Sequence, residues 1–110
     1  FKLDYLHTVS GTGTVPTSTV RLQMGTEIVQ KSAWGDGPVD ATYAALREAS
    51  NSEAKVDGFS IRAVTSGSQA LGEVTVHLSL LGQIVRGRGV STDVIEASAK
   101  AYVDALNRLN

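Results

Sequence analysis

The 110-residue chain contains no cysteine. It therefore cannot form a disulfide framework or a thiolate zinc site, and it cannot supply a cysteine nucleophile. The absence of cysteine does not determine the redox compartment of the protein, and the cytosol is the default expectation. Long apolar runs are also missing, because the longest covers only residues 43–46, far short of the ~20 residues of a membrane helix. No signal-peptide pattern begins the sequence. These absences predict a protein that neither spans a membrane nor carries an export signal.

An excess of charge is absent as well. Ten Lys and Arg residues stand against eleven Asp and Glu residues, for a formal net charge of -1, and the basic residues are scattered from Lys2 to Arg108. Phosphate contacts along a nucleic acid need clustered basic residues, so nucleic acid is excluded as the main partner. The chain begins with Phe1 and its one methionine is Met24. We therefore expect a further segment N-terminal to it.

Two Gly-x-Gly triplets, at residues 35–37 and 87–89, indicate an internal repeat. Upstream of each triplet, alternating apolar residues predict three strands, and downstream of each a helical pattern follows. The expected fold is α+β, a single domain of two pseudo-symmetric βββα units, about residues 1–50 and 55–110, with antiparallel strands and the helices packed on one face. The predicted strands cover residues 1–9, 17–24 and 26–34 in the first unit and 59–65, 74–80 and 84–86 in the second.

Both predicted helices have recognisable starts. Pro38 suits the first helical position after Gly37 as N-cap, and Asp40 favours the first turn; this helix should run to about Glu48. The second should begin at residues 91–93, with Glu96 closing a capping box on Asp93. Its apolar stripe is Ile95, Ala99, Tyr102, Leu106 and Leu109.

Residues with catalytic potential are sparse. His7 and His77 sit singly in alternating strand patterns, and no spacing of Asp, Glu and His resembles a metal site or a catalytic triad. Residues 10–14 (SGTGT) resemble a phosphate loop, but they lead into a strand rather than a helix and lack the lysine of a P-loop. We interpret them as a strand connection, and expect no catalytic residue, metal or cofactor in this chain.

The Gly-x-Gly triplets have two interpretations. Each is predicted at the end of a strand and the start of a helix, where glycine permits positive φ and lets a ligand approach the backbone N–H groups. With Asp36 and Asp40 nearby, a pocket there could hold both a carboxylate and an ammonium group, as an amino acid presents. The alternative is a tight turn that needs glycine for its own geometry.

Several of these segments resemble one known family. Residues 35–41 (GDGPVDA), 87–102 (GRGVSTDVIEASAKAY) and 105–109 (ALNRL), together with the opening Ser10-Gly11 and residues 16–20 (PTSTV), are similar to the C-terminal regulatory domain of 2-isopropylmalate synthases. The resemblance covers essentially the whole chain. It implies a βββα repeat domain that forms a homodimer and binds leucine, thereby inhibiting an upstream catalytic barrel.

In that family the barrel binds a divalent metal and condenses acetyl-CoA with 2-oxoisovalerate, so the resemblance implies an acyltransferase parent in leucine biosynthesis. Citramalate synthase is similar through the same domain, and there the effector is isoleucine. A purely structural dimerisation module without a ligand is a second hypothesis. A small stand-alone enzyme that uses carboxylate chemistry is a third.

The resemblance also implies an effector pocket. Apolar members would contact a branched side chain, helix-start N–H groups would bind the carboxylate, and a nearby Asp would bind the ammonium. Each apolar member is equally explained as ordinary core. The predicted effector-binding residues are Gly35, Asp36, Gly37, Val39, Asp40, Val56, Phe59, Ala63 and Val90.

Overall fold

The computed structural model describes residues 1–109, apart from the side chain of Ser66. The chain divides into two compact units, which meet in sequence after Ser52. Each unit contains three strands followed by a helix, which confirms the predicted α+β fold of two βββα units. The elements are β1 (Lys2–Gly11), β2 (Thr14–Met24), β3 (Glu27–Trp34), α1 (Pro38–Ser50), β4 (Lys55–Ser66), β5 (Gln69–Leu80), β6 (Gln83–Ser91) and α2 (Val94–Arg108).

Each sheet is an antiparallel meander, in the order β1-β2-β3 in unit 1 and β4-β5-β6 in unit 2. Short turns join the strands; the β1–β2 turn follows the pairing of Gly11 with Thr14, which confirms the predicted strand connection at residues 10–14. Hairpin turns of this length need positive φ, which glycine supplies without steric cost. The turn glycines with positive φ are Gly13, Gly25, Gly67 and Gly82.

The core of unit 1 lies between the central strand β2 and α1. Alternate residues of β2, namely Ser18, Val20 and Leu22, are buried on the face that α1 covers. The Thr42 hydroxyl of α1 donates to the Pro38 carbonyl at 2.8 Å and shares a second hydrogen bond, of 3.1 Å, with the Ser18 hydroxyl. This buried polar pair is therefore satisfied locally, as the low dielectric of a core requires.

The core of unit 2 has the same plan with a closer contact. Val74, Val76 and Leu78 of β5 are buried, and α2 packs over β5 and β6. A Cβ on Gly87 would lie 2.1 Å from the Ala101 carbonyl oxygen, and one on Gly89 would lie 2.2 Å from that of Ala97. The backbone of the alanine-rich helix α2 therefore contacts the backbone of β6 directly at the second glycine triplet.

The structure corrects the predicted repeat. The second triplet does not end its strand, because β6 continues to Ser91. Gly87 pairs with Val76, the middle buried residue of β5, whereas the residue that pairs with the corresponding Val20 of β2 is Lys31. The first triplet contains the N-cap of α1, and its structural counterpart is the residues 91–93 that precede α2. The two triplets share a sequence pattern but occupy different places.

The two helices also begin differently. Gly37 is the N-cap of α1, with Pro38 following, as predicted. Asp93 caps α2 by accepting from the Ile95 N–H at 2.8 Å. The predicted capping box is wrong, because the Asp93 N–H donates to the Ser91 hydroxyl at 3.1 Å and Glu96 pairs instead with Lys100 at 2.9 Å.

Candidate functional site

The β3–α1 turn holds the first group of predicted effector residues. The Gly35 N–H donates to the Pro16 carbonyl at 3.1 Å, which fixes the turn against the start of β2. A Cβ on Gly35 would lie 2.6 Å from the Ala41 backbone nitrogen. None of the triplet glycines uses the positive φ that glycine permits, and Gly37 has an extended φ of -148°. Gly35 is required by close packing on α1, and the backbone is not strained.

The first turn of α1 offers backbone donors without a side-chain acceptor. Gly37 has no side chain to cap the helix, and no side-chain capping bond is made there. The N–H groups of Val39 and Asp40 lie at the positive end of the helix dipole, where an anion is stabilised. The Asp40 carboxylate lies close by, since a Cβ on Gly37 would be 3.6 Å from its Oδ2. Asp36 is exposed in the same turn.

Strand β4 holds the second group. Val56, Phe59 and Ala63 pair with Leu78, Val76 and Gly72 of β5, so they lie on the face of the sheet that α2 packs against. Helix α2 covers β5 and β6 and leaves β4 outside its contact. Val56 is therefore 37% exposed and Phe59 49% exposed.

One further apolar residue of β4 lies on this face but is not among the predicted effector residues. Ile61 pairs with the buried Val74, lies on the same face and is 51% exposed. Its alternation with Phe59 and Ala63 was the available signal. The β4 strip, defined as Val56, Phe59, Ile61 and Ala63, is an apolar edge that its own helix does not cover.

Val90 lies apart from this strip. Val90 is a residue of β6 that pairs with Glu73 of β5, whereas the neighbouring Gly89 pairs with the buried Val74. Successive residues of a strand face opposite sides, so Val90 lies on the face turned away from α2. Strand β5 also separates it from β4. Within unit 2, the structure thus brings Val56, Phe59 and Ala63 together and separates Val90 from them.

The remaining sequence candidates have ordinary surroundings. His7 stacks on Tyr5 with ring centroids 6.4 Å apart, and His77 lies on β5 opposite Arg86 and Gly58. Among residues 1–109, no three His, Asp or Glu side chains are grouped so that they could hold a metal ion. No helix in this range is long and apolar enough to cross a membrane.

Comparison with known proteins identifies one group of similar proteins and one family. Proteins named 2-isopropylmalate synthase match nearly the whole chain: the one from Carboxydothermus hydrogenoformans is 50% identical over 110 residues, which is 99% of this chain and 22% of that protein. The one from Heliobacterium modesticaldum is 46% identical over 109 residues (99% and 21%), and the one from Nitrosomonas europaea 44% identical over 110 residues (100% and 22%). The chain thus spans about a fifth of the length of these relatives. A model of the LeuA allosteric (dimerisation) domain matches residues 1–110, and the chain belongs to this family.

Proposed function

We propose that this chain binds leucine as a feedback effector and forms a homodimer within a 2-isopropylmalate synthase. Upstream of it, the parent would have a catalytic barrel that uses a divalent metal and acetyl-CoA. The observation that carries the proposal is the first turn of α1, which lacks a side-chain cap, whereas the first turn of α2 is capped by Asp93. Two helices with the same place in two similar units thus differ in whether a side chain caps their first turn.

The α1 turn suits the polar part of an amino acid. Its backbone N–H groups and the helix dipole favour a carboxylate, and a glycine at the N-cap lets the ligand approach the backbone. Asp36 and Asp40 supply negative charge for the ammonium group. The same turn therefore offers complementary partners for both charges of a zwitterion.

The β4 strip of unit 2 is a separate apolar surface, of the kind that a branched aliphatic side chain or a second copy of the chain would cover. Val56, Phe59 and Ala63 present an apolar surface without charge, and Ile61 extends it. Burying such side chains against a ligand or a second copy of the chain removes apolar area from water, which is favourable by about 25 cal/mol per Å². Val90, on the other face, remains a predicted effector contact that needs its own substitution to test.

Titration calorimetry of the 110-residue chain with leucine, isoleucine and valine tests the ligand. We expect leucine to bind most tightly; isoleucine binding most tightly would instead support the citramalate synthase alternative. The two ligands differ in where one methyl group lies, a difference of about 1–3 kcal/mol in a shaped pocket. Absence of heat with all three at millimolar concentration would overturn the ligand proposal.

One glycine substitution tests the α1 turn, and a second serves as its control. Gly37→Ser supplies a hydroxyl that caps α1 and competes with the ligand carboxylate, so leucine should bind about tenfold more weakly while the fold is kept. Gly11→Ser is the matched control, because a Cβ there would meet nothing within 4 Å. Equal affinities in both variants would show that the carboxylate binds elsewhere.

Light scattering tests the homodimer. A dimer that binds leucine supports the whole proposal, a dimer without any amino-acid response supports the structural module, and a monomer contradicts both. In the full-length protein, leucine must favour one arrangement of domains over another, a coupling of about 1–3 kcal/mol. Steady-state kinetics of that protein with and without leucine measure the inhibition.

A further inference from the structure

Unit 2 contains an open cavity that the effector proposal does not use. Its volume is about 710 Å³, within the range of small-molecule sites. Residues of β5, β6 and α2 form it, so it is complete within one unit. The lining residues are Thr75, Arg86, Gly87, Arg88, Asp104 and Arg108.

Three of the residues that line this arginine cavity are arginines, and few short contacts hold their guanidinium groups. Arg86 makes no ion pair with any described residue. Arg88 faces Glu73 through Nε at 3.8 Å, and Arg108 faces Asp104 through Nε at 3.4 Å. Neither uses its terminal Nη groups for a hydrogen bond within the described part of the chain. By contrast Arg62, outside the cavity, bonds Glu73 through Nη2 at 2.9 Å.

Asp104 is the one carboxylate that lines the cavity. Its Oδ2 accepts the Arg88 backbone N–H at 2.9 Å and lies 3.4 Å from Arg108 Nε. These contacts hold the α2 side of the cavity against β6. Glu73 also faces Arg88, so two carboxylates stand against the three arginines; positive charge remains in excess, although the whole chain has a formal net charge of -1.

We propose that the arginine cavity binds the phosphoryl group of a phosphorylated small molecule. Guanidinium groups with free Nη donors bind phosphate oxygens in bidentate geometry, and an anion suits the excess of positive charge. A zwitterionic amino acid fits poorly, since its ammonium group would be repelled. The cavity is large enough for an organic part beside the phosphate, and Thr75 offers a hydroxyl next to the arginines.

Calorimetry and ¹⁵N spectra of the arginine side chains, with inorganic phosphate, glycerol phosphate and glycerol as probes, test this site. We expect both phosphates to bind, with shifts at Arg86, Arg88 and Arg108, and glycerol not to bind. Glycerol phosphate binding more tightly than inorganic phosphate identifies a phosphate ester as the ligand; equal affinities identify the free anion. Binding of neither phosphate overturns the proposal.

Substitutions separate a built site from general charge attraction. Arg86→Gln should weaken phosphate binding about tenfold, and Arg86→Lys should restore only part of it, because lysine keeps the charge but loses the fork. Arg47→Gln in the last turn of α1 removes the same charge outside the cavity and should have no effect. Equal weakening by Arg86→Gln and Arg47→Gln would reduce the effect to long-range electrostatics and overturn the proposal.

Discussion

The two βββα units solve the same packing problem in different ways. In unit 2, Gly87 and Gly89 admit the backbone of α2 directly onto β6. In unit 1 the corresponding positions of β3 are Lys31 and Ala33, and α1 is joined to β2 through a buried Thr42–Ser18 hydrogen bond. One unit therefore gains its contact by omitting side chains, and the other gains it partly by pairing hydroxyls. Repeated topology does not require repeated interactions.

The largest expected effect breaks the glycine contact. Gly87→Ala would force a Cβ to 2.1 Å from the Ala101 oxygen and 2.3 Å from the Ala105 nitrogen, both backbone atoms that cannot rotate away. The free energy of unfolding should fall by about 3 kcal/mol or more. Urea denaturation measures it, with Gly58→Ala as control because nothing lies within 4 Å of its Cβ. A loss no larger than the control's would contradict the close packing of α2.

The hydroxyl pair of unit 1 should give the next effect. Thr42→Val keeps the shape but leaves the buried Ser18 hydroxyl without this bond, a cost of about 1–3 kcal/mol. At the same place in α2, Ser98 donates only to the Val94 carbonyl of its own helix at 2.8 Å, so Ser98→Ala should cost less than about 1 kcal/mol. Thermal unfolding of both variants compares them. Equal costs would mean that the contact with Ser18 contributes no stability.

Opposite signs are expected at the two helix starts. Asp93→Ala removes the acceptor for the Ile95 N–H and should cost about 1 kcal/mol. Gly37→Ser adds a capping hydroxyl at a residue whose backbone is already extended, so it should raise the free energy of unfolding by roughly 0.3 kcal/mol. Calorimetric melting points give both signs. If Gly37→Ser destabilised the protein, the α1 donors would already be satisfied in a way that a hydroxyl disturbs.

The smallest effect concerns the surface of α2. Lys100 and Glu96 pair at 2.9 Å with both side chains 47% exposed. Exposed i, i+4 pairs contribute about 0.3–0.5 kcal/mol, so Lys100→Gln should change stability by no more than that. Denaturation at low and high salt provides the check, since the difference should vanish at high salt. A larger effect would indicate that the lysine stem packs on the helix.

Local signals predicted most of the fold. Alternation located all six strands, and Gly37, Pro38 and Asp93 marked the helix starts correctly. The repeat register was wrong because a Gly-x-Gly pattern can serve a helix start or a helix-strand contact equally well. Only the pairing of Gly87 with Val76 distinguishes these uses, and strand register is a tertiary property.

The candidate site was predictable only in part. A glycine turn next to acidic residues is a local pattern, so its residues appear together in the structure as in the sequence. The exposure of β4 depends on where α2 packs, which no local pattern states, so Ile61 was missed. Likewise Arg86 and Arg88 are near neighbours in the sequence, but only the fold brings Arg108 of α2 to the same cavity.

The contact between Asp104 and the Arg88 backbone has a further consequence. Strand β6 is an outer strand of its sheet, and unpaired N–H groups on such strands recruit strands from other molecules. Here a helix-borne carboxylate occupies one of those groups at 2.9 Å, and its charge repels the carbonyl oxygens of any approaching strand. We therefore expect that loss of the Asp104 carboxylate would leave one more unpaired donor on this outer strand, which favours β-pairing between molecules.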